Sequence, residues 1–554
     1  WGVADVPTAP GKTAIEMFRA AADGEIKALW IACTNPAQSL PDQAMVRRAL
    51  ERAEYVVVQE AFSTTASCNF ADLLLPATTW GEKDGTVTNS ERCISRVNAA
   101  VAAPGESRHD WAIASDFAQR LQGRLHDRQH RLEGQSLFQY ESAEALWNEH
   151  RESTRGRDLD ITGLSYARLA AAPAQWPYPE GAMAGQKRLY EDGIFPTVDG
   201  RAVFFDTPFD KLAEPRDARF PFSLNTGRLR DQWHGMSRTG TIGRLFGHVP
   251  EPVVEMHAQD LARRKLVDGD LVRISSRRGS LVLPVQASAQ MAPSQAFIAM
   301  HWGEEALSGR SPNGAPMLGV NGLTSPAFCP HSKQPELKHA AVQIAAVELP
   351  WKLLALAWLP EDAVLDVRDK LRALMPSFDF ASTVPFGREH CGLMFRAAAT
   401  APVEDDLLMH IEQLMGLGAA GVLHYADQRR GQRRSMRLSG QGDAQRLYGF
   451  VLAGDIRAES WIRPLLQDDL PTQAYGRALL IPGAQAPVAL PSKGRQVCSC
   501  LDVGEAAINA WLGEHPGPAE NQLPMLQQEL KCGTNCGSCV PEIKRLIRQQ
   551  LITA

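Results

Sequence analysis

Four cysteines near the end of the chain fall in two short pairs, Cys498-Ser499-Cys500 and Cys536-Gly537-Ser538-Cys539. Two thiolates one or two residues apart can bind one metal centre together, and two such pairs complete a four-sulfur ligand set. This end of the chain is therefore expected to fold around an inorganic centre. Gly533 and Gly537 let the backbone approach that centre and aim N–H groups at its sulfurs. Pro541 suits a first helical turn, and Glu542-Ile543-Lys544-Arg545-Leu546-Ile547 continues as an amphipathic helix whose positive N-terminus points at the thiolates. Two readings of the centre stand side by side: an iron–sulfur cluster, or a zinc that staples a small module. Small, glycine-rich surroundings and the lack of a histidine in the set favour the cluster.

The remaining composition bounds the function class. At 554 residues the chain is expected to hold roughly three to five domains. A formal net charge of −5 and no extended basic tract give no case for nucleic-acid binding, and no run approaches the length of a membrane span. Ten cysteines are too few for a disulfide scaffold in a chain this long. Their clustering at one end points to metal binding in a reducing compartment. The opening Trp1-Gly2-Val3-Ala4-Asp5 has neither a starting methionine nor a signal-peptide pattern, so the chain is expected to begin partway through a longer protein.

Along the chain, IKALWIAC, AEYVVVQE and ADLLLPA read as strands buried on both faces of a parallel α/β segment, with QAMVRRALERA as a helix between the first two. Ligands of such sheets gather beyond the carboxyl ends of the strands. There lie Thr34-Asn35-Pro36, Gln59-Glu60 and Trp80-Gly81-Glu82-Lys83. The α/β segment is assigned to 1–125 and a connecting region, with one helix at SAEALWNEHRES, to 126–214. A β-barrel follows at 215–348, with LVRISS and SLVLPVQA as a hairpin around Arg277-Arg278-Gly279. A mixed α+β domain fills 349–490, where LLALAWL is a core strand or helix. Its Arg429–Arg434 run reads as a solvated hairpin turn. The cysteine module occupies 491–554. The expected fold class is thus multidomain, α/β and β.

Two stretches carry a family resemblance: ADLLLPATTWGEKDGTVTNSERCISRVNAAVAAPGESRHDW at 71–111 and SLNTGRLRDQWHGMSRTG at 223–240, supported by VNGLTSPAFCPHSKQPELKHAAV at 320–342. They resemble molybdopterin oxidoreductases that carry a bis(molybdopterin guanine dinucleotide) cofactor, most closely the catalytic subunits of bacterial assimilatory nitrate reductases. The C-terminal stretch resembles the [2Fe–2S] module of the bacterioferritin-associated ferredoxin type. That resemblance makes Cys498, Cys500, Cys536 and Cys539 the cluster ligands and leaves Cys532 a spare thiol.

By the same resemblance the cofactor contacts fall on Asn35, Glu60, Lys83, Asn89, Glu91, Arg92 and Asp110 in the first segment. In the barrel they fall on Thr226, Gly227, Arg228, Trp233, His234, Asn321 and Lys338. A carboxylate such as Glu60 or Asp110 can accept from ribose hydroxyls or a guanine edge, and Lys83 places a point charge near a pyrophosphate. The plain alternatives are a surface ion pair for Lys83, a core position for Trp233 and a packed or surface histidine at His234. The family pattern N-x-E-R-R departs here at Cys93. No Cys-x-x-Cys precedes residue 536, so neither the family's [4Fe–4S] motif nor its molybdenum ligand is found, and the resemblance implies both only in an N-terminal part missing from this chain; Cys33, read as a small buried strand cysteine, is not taken as that ligand.

The resemblance implies reduction of nitrate to nitrite at molybdenum in a cytoplasmic enzyme. Electrons would enter through the [2Fe–2S] module from an NAD(P)H-dependent flavoprotein, a ferredoxin or a flavodoxin. Formate dehydrogenase of the same superfamily and a non-catalytic electron-transfer protein are the rival readings. The mixed domain at 349–490 resembles part of flavin-dependent nitrite and rubredoxin reductases; it lacks a glycine-rich dinucleotide fingerprint and is expected to hold the ferredoxin module against the body.

Overall fold

The computed structural model describes residues 7–129, 137–311 and 313–553. The Trp1–Asp5 stretch lies outside them. Three parallel strands, β1 (Ala28–Ala32), β2 (Tyr55–Glu60) and β3 (Leu73–Pro76), lie in that order. Helices Ala14–Asp23 and Gln43–Arg52 cover one face, burying Leu29, Ile31, Val56 and Val58 with Phe18, Val46 and Leu50. The first helix begins with a capping box, Thr13 with Glu16, and ends on left-handed Gly24. The expectation of strands buried on both faces fails here. Trp30 is 37% exposed and Leu73 and Leu74 are 40% and 46% exposed. The second face meets the helix Asp110–Gln129 through a perpendicular Trp30–Phe117 contact at 4.7 Å.

A hairpin of β4 (Gly85–Thr88) and β5 (Cys93–Val97) takes a third short strand, β6 (Ala174–Gln175), from the segment expected merely to connect. That segment builds its own small core: Trp147, Ile161, Leu164, Tyr166 and Tyr178 pack on Ile94. Its helix Ala143–Glu152 starts where the sequence suggests, with Ser142 accepting from the Ala145 N–H.

The closed barrel is real. Strands β7 (Phe222–Gly227), β8 (Val254–Met256), β9 (Leu271–Ser275), β10 (Ser280–Ala287) and β11 (Gln295–Ala299) come first. The short β12 (Leu307–Ser308) leaves to pair in the next sheet, and β13 (Ala340–Ala346) closes the barrel between β7 and β9. The hairpin β9–β10 is antiparallel as expected. Its alternating residues Val272, Ile274, Leu281 and Leu283 fill the interior with Leu224 and Ile298.

The mixed unit is a seven-stranded sheet ordered β12-β15-β16-β14-β19-β18-β17, with β14 (Trp351–Leu359), β15 (Phe380–Phe386), β16 (Cys391–Ala399), β17 (Leu423–Asp427), β18 (Gln432–Ser439) and β19 (Arg446–Ala453). LLALAWL is thus strand, not helix. The basic run divides: Arg429 and Arg430 form the solvated turn, whereas Arg433 pairs with Glu412 at 2.7 Å. Arg434 is fully buried and donates to the Leu479 carbonyl. Only half of that run is the surface turn its charge suggested, because β18 crosses the sheet interior. The last unit is a two-stranded ladder, β20 (Gln496–Cys498) with β21 (Val503–Gly504), and helices Glu505–Glu514, Ala519–Leu530 and Val540–Thr553. No described helix is long and apolar enough to cross a membrane.

Candidate functional site

The carboxyl ends of β1 and β2 do not point into solvent; they meet loops of the barrel in a polar seam. Asn35, which ends the turn after β1, is buried and uses both ends of its amide. Its Oδ1 accepts from the Ser67 N–H at 3.0 Å and the Ser67 hydroxyl at 2.7 Å, while its Nδ2 donates to Glu305 Oε1 at 3.2 Å. Gln38, one turn on, donates to the His301 carbonyl at 2.9 Å, and Asn321 donates to the Gln38 carbonyl at 2.7 Å. Glu60 lies 3.5 Å from Arg238. Backbone fit is close: a Cβ on Gly235 would lie 2.0 Å from Gln38 Oε1, and one on Gly303 would lie 2.5 Å from Glu305 Oε2.

Among the described residues, Glu60 Oε2, His301 Nε2, Glu305 Oε2 and the Thr383 hydroxyl are buried polar atoms of this seam without a protein partner. Native interiors leave few such atoms, and a ligand is a standard reason for one. His301 and Glu305 line a cavity of about 40 Å³ with Arg368 and Thr383. Burial, with Arg228 and Lys338 adding positive charge, pushes the His301 imidazole down to about 4. It is therefore neutral at pH 7. Its Nδ1 accepts from the Leu229 N–H at 3.3 Å, which leaves the proton on Nε2 as a free donor. Burial pushes the Glu305 carboxyl up.

A second group of side chains gathers one loop away. Asp110 accepts from Gln59 at 2.9 Å and pairs with Lys83 at 3.1 Å, and the Cys33 thiol lies 3.5 Å from its carboxylate. Burial opposes ionisation of Asp110, but the hydrogen bonds from Gln59 and Lys83 hold its carboxyl below the usual range. Lys83 also sits over the Trp80 ring. Cys33 is not the buried strand residue expected: it stands one position past β1, exposed, with a left-handed φ of 59°. Shielding of the sulfur and the Asp110 carboxylate push its thiol up, which disfavours the thiolate a metal needs.

Other sequence-derived residues are spoken for by structure. Asn89 closes the β4–β5 turn by accepting from the Glu91 and Cys93 N–H groups. The Glu91 carbonyl accepts from Gln175, and Arg92 clamps the carbonyls of Trp176, Gln186 and Lys187. These bonds tie the hairpin to 175–187 rather than to the seam. Thr226 is buried and donates to the Leu337 carbonyl at 2.5 Å; Gly227 accepts from the Met300 N–H, and its missing Cβ makes room for Phe297. Trp233 is 47% exposed, so it is not core, and it leans on His234 with ring centres 5.1 Å apart.

In the terminal module the four cysteines come together two by two. Cys500 and Cys536 sulfurs lie 3.3 Å apart near the surface, and the Cys539 thiol meets that of Cys498 inside the module's core. Burial and Cys498 push Cys539 up to about 12, whereas Ser538 draws Cys536 down. Ionising Cys539 therefore calls for a cation beside it. Gly533 and Gly537 take φ of 84° and 73°, and the helix Val540–Thr553 starts directly after Cys539 with Pro541 in its first turn. Cys532 is fully buried, and burial pushes its thiol up to about 11. Among the described residues no three His, Cys, Asp or Glu side chains converge as a site for a single metal ion.

Comparison with known proteins matches three family models in chain order: molybdopterin oxidoreductase over residues 2–120, molydopterin dinucleotide binding domain over 222–341 and BFD-like [2Fe-2S] binding domain over 496–549. The chain belongs to the molybdopterin oxidoreductase family. A nitrate reductase of Klebsiella oxytoca is 33% identical over 100% of this chain and 59% of its own length. The assimilatory nitrate reductase catalytic subunit of Bacillus subtilis is 33% identical over 63% of this chain and 46% of its own. The F420-dependent formate dehydrogenase subunit alpha of Methanocaldococcus jannaschii is 33% identical over 58% of this chain and 43% of its own. The chain thus spans about half the length of the curated relatives it matches. Among solved structures, acetylene hydratase from Pelobacter acetylenicus aligns with a TM-score of 0.43 at 16% identity, over 60% of this chain and 46% of that one.

Within this family member, the matched α/β and barrel segments supply the two sides of the seam. Sequence reasoning found Asn35, Glu60 and Asn321 there but missed Gln38, His301 and Glu305. The signal available for them was weak: the glycine of His301-Trp302-Gly303 only gains meaning once Gln38 is seen packed against it.

Proposed function

We propose that this chain is part of a molybdenum-dependent nitrate reductase that reduces nitrate to nitrite in nitrogen assimilation, in the cytoplasm. The observation that carries this reading is the extent of the Klebsiella oxytoca nitrate reductase match, which runs through the mixed unit and the cysteine module, whereas the formate dehydrogenase match spans 58% of the chain.

The cofactors would be molybdenum-bis(molybdopterin guanine dinucleotide) and a [2Fe–2S] cluster; a [4Fe–4S] cluster, also implied by the resemblance, has no Cys-x-x-Cys candidate before Cys536. When bound, these groups supply oxygen-atom transfer and one-electron carriage. The chain's own residues bind and orient. The unpartnered Nε2–H of His301 and carboxyl oxygens of Glu60 and Glu305 fit a polar cofactor edge in the seam. Asp110 and Lys83 offer an acceptor and a cation beside it, and Arg228 and Lys338 bring positive charge to the His301 side. Trp233 and His234 present an exposed aromatic surface at its edge. Asn89, Glu91 and Arg92 act at one remove, by holding the hairpin behind Lys83. Cys498, Cys500, Cys536 and Cys539 hold the cluster; their two-by-two approach suits two irons better than one tetrahedral zinc. An NAD(P)H-dependent flavoprotein, a ferredoxin or a flavodoxin would be the donor.

The test is metal and pterin quantitation on the protein expressed from its complete reading frame, followed by turnover with a viologen dye. Nitrate-dependent dye oxidation with bound molybdenum is expected. Formate-dependent dye reduction without nitrate turnover would assign the chain to the formate dehydrogenases instead.

A further inference from the structure

The first cysteine loop is seated on groups from two other units. Arg230 donates to the Val497 carbonyl at 3.2 Å, and His248 Nε2 meets the same carbonyl at 3.2 Å. The Ser499 hydroxyl, between the two cysteines, lies 2.6 Å from His248 Nδ1 and donates to Asp231 at 3.3 Å; Asp231 and His248 are bonded to each other. From the mixed unit, Arg388 donates to the Ser499 carbonyl and, at 2.7 Å, to that of Cys500. Arg388 is aimed by the β15–β16 turn, where Gly387 has a φ of 100° and a Cβ would lie 2.1 Å from the His390 carbonyl. Arg230 and Asp231 lie only a few residues before Trp233-His234 in the same loop. The expected tether through the mixed unit is therefore half the arrangement; the barrel loop holds the module directly.

We propose that this seat tunes the module: Arg230 and Arg388, fixed on the carbonyls of the ligand loop, raise the reduction potential of the cluster held by Cys498 and Cys500. The inference rests on the [2Fe–2S] reading above. Reduction moves one electron from an external one-electron reductant, which is oxidised, onto an already anionic thiolate cluster; no bond is made or broken. Cations fixed on the carbonyls of the ligand loop favour that more negative state. Undocking would remove both guanidiniums, so only the seated module becomes the better acceptor.

The experiment is a dithionite potentiometric titration of the iron-loaded full chain, followed by electron paramagnetic resonance. Arg388→Gln and Arg230→Gln are each expected to shift the midpoint to more negative potential at full iron content, and Arg388→Lys to shift it less. Arg429→Gln, in the exposed turn of the mixed unit, is the control and should leave it unchanged. Faster hydrogen exchange at 496–504 should accompany the glutamine variants. Arg230→Gln removes the bond to the Val497 carbonyl and a long pair with Asp231 at 3.9 Å while leaving Ser499 and Cys500 held by Arg388, and it carries the test should Arg388→Gln fail to retain iron. An iron-loaded protein whose midpoint is the same in every variant overturns the tuning. Zinc in the wild-type protein, with no visible absorption, overturns instead the cluster reading beneath it.

Discussion

Glu251 is the place where the barrel and the mixed sheet are fastened, and its substitution gives a number that can be checked. Its carboxylate pairs with Arg396 and, at 2.6 Å, with Arg463, both of which also reach Glu459. All four side chains are largely buried. Burial alone pushes the Glu251 carboxyl up, but the two guanidiniums more than reverse this and bring it from 4.5 to about 2. At about 1.4 kcal/mol for each pH unit, that displacement is worth roughly 3 kcal/mol. Breaking a buried ion pair by removing one partner costs about 3–5 kcal/mol in general, so the two routes agree. Glu251→Gln should therefore lower the opening free energy of β16 and the helix Glu459–Gln467 by about 3 kcal/mol at pH 7. Native-state hydrogen exchange reads this directly, where a single global unfolding energy is ill-defined for several packed units. The sign also fixes a pH window. A carboxyl held low in the fold contributes fully above about 4.5 and loses that contribution as pH falls toward about 2. The gap between wild type and Glu251→Gln should therefore close across that window. A loss below about 1 kcal/mol at pH 7, or an equal gap at pH 3 and pH 7, would refute the reasoning.

Serine at any one of Cys498, Cys500, Cys536 or Cys539 should abolish the visible absorption of the iron-loaded chain, whereas Cys532→Ala should keep it, since Cys532 packs in the module's core. His301 is held down to about 4 from 6.5, so its contribution to stability is complete above about 6.5 and falls by roughly 3 kcal/mol as pH drops to 4. Opening free energies of β11 from native-state hydrogen exchange, compared between wild type and His301→Gln against pH, should show this slope only in wild type. Asn35→Ala should cost about 2 kcal/mol, because it strips partners from Ser67 and Glu305 inside the seam. Faster exchange at the Ser67 amide is the readout, and unchanged protection there would count against the role given to Asn35.

The parts of this molecule written in local pattern were legible in its sequence. The β9–β10 hairpin announces itself by its turn, the helix Ala143–Glu152 by the helix-like stretch SAEALWNEHRES, and the thiol module by cysteine spacing and Pro541. Misreadings arise where distant chain decides the environment. Leu73 and Leu74 look like doubly covered strand residues, yet β3 is the edge strand of its sheet, and both are exposed although they point to opposite faces. Arg434 looks like a surface charge, yet its strand runs through the interior. In the seam, Asn35 and Glu60 could be placed by strand ends, but Gln38, His301 and Glu305 acquire their roles only from contacts across more than two hundred residues. No local periodicity encodes such a contact.

The short strand β12 has a mechanical consequence. The span from Ala299, the last residue of barrel strand β11, to Leu307, the first of β12, carries His301 and Glu305 between two anchors in different sheets. It is held like a string between two pegs, one in the barrel and one beside Ser382 in β15. Any slippage of the mixed sheet against the barrel is thus delivered as tension to the two side chains whose polar atoms face the seam. Substitutions far away in β15, or at the Glu251 fastening, would be felt at His301 and Glu305 without touching either.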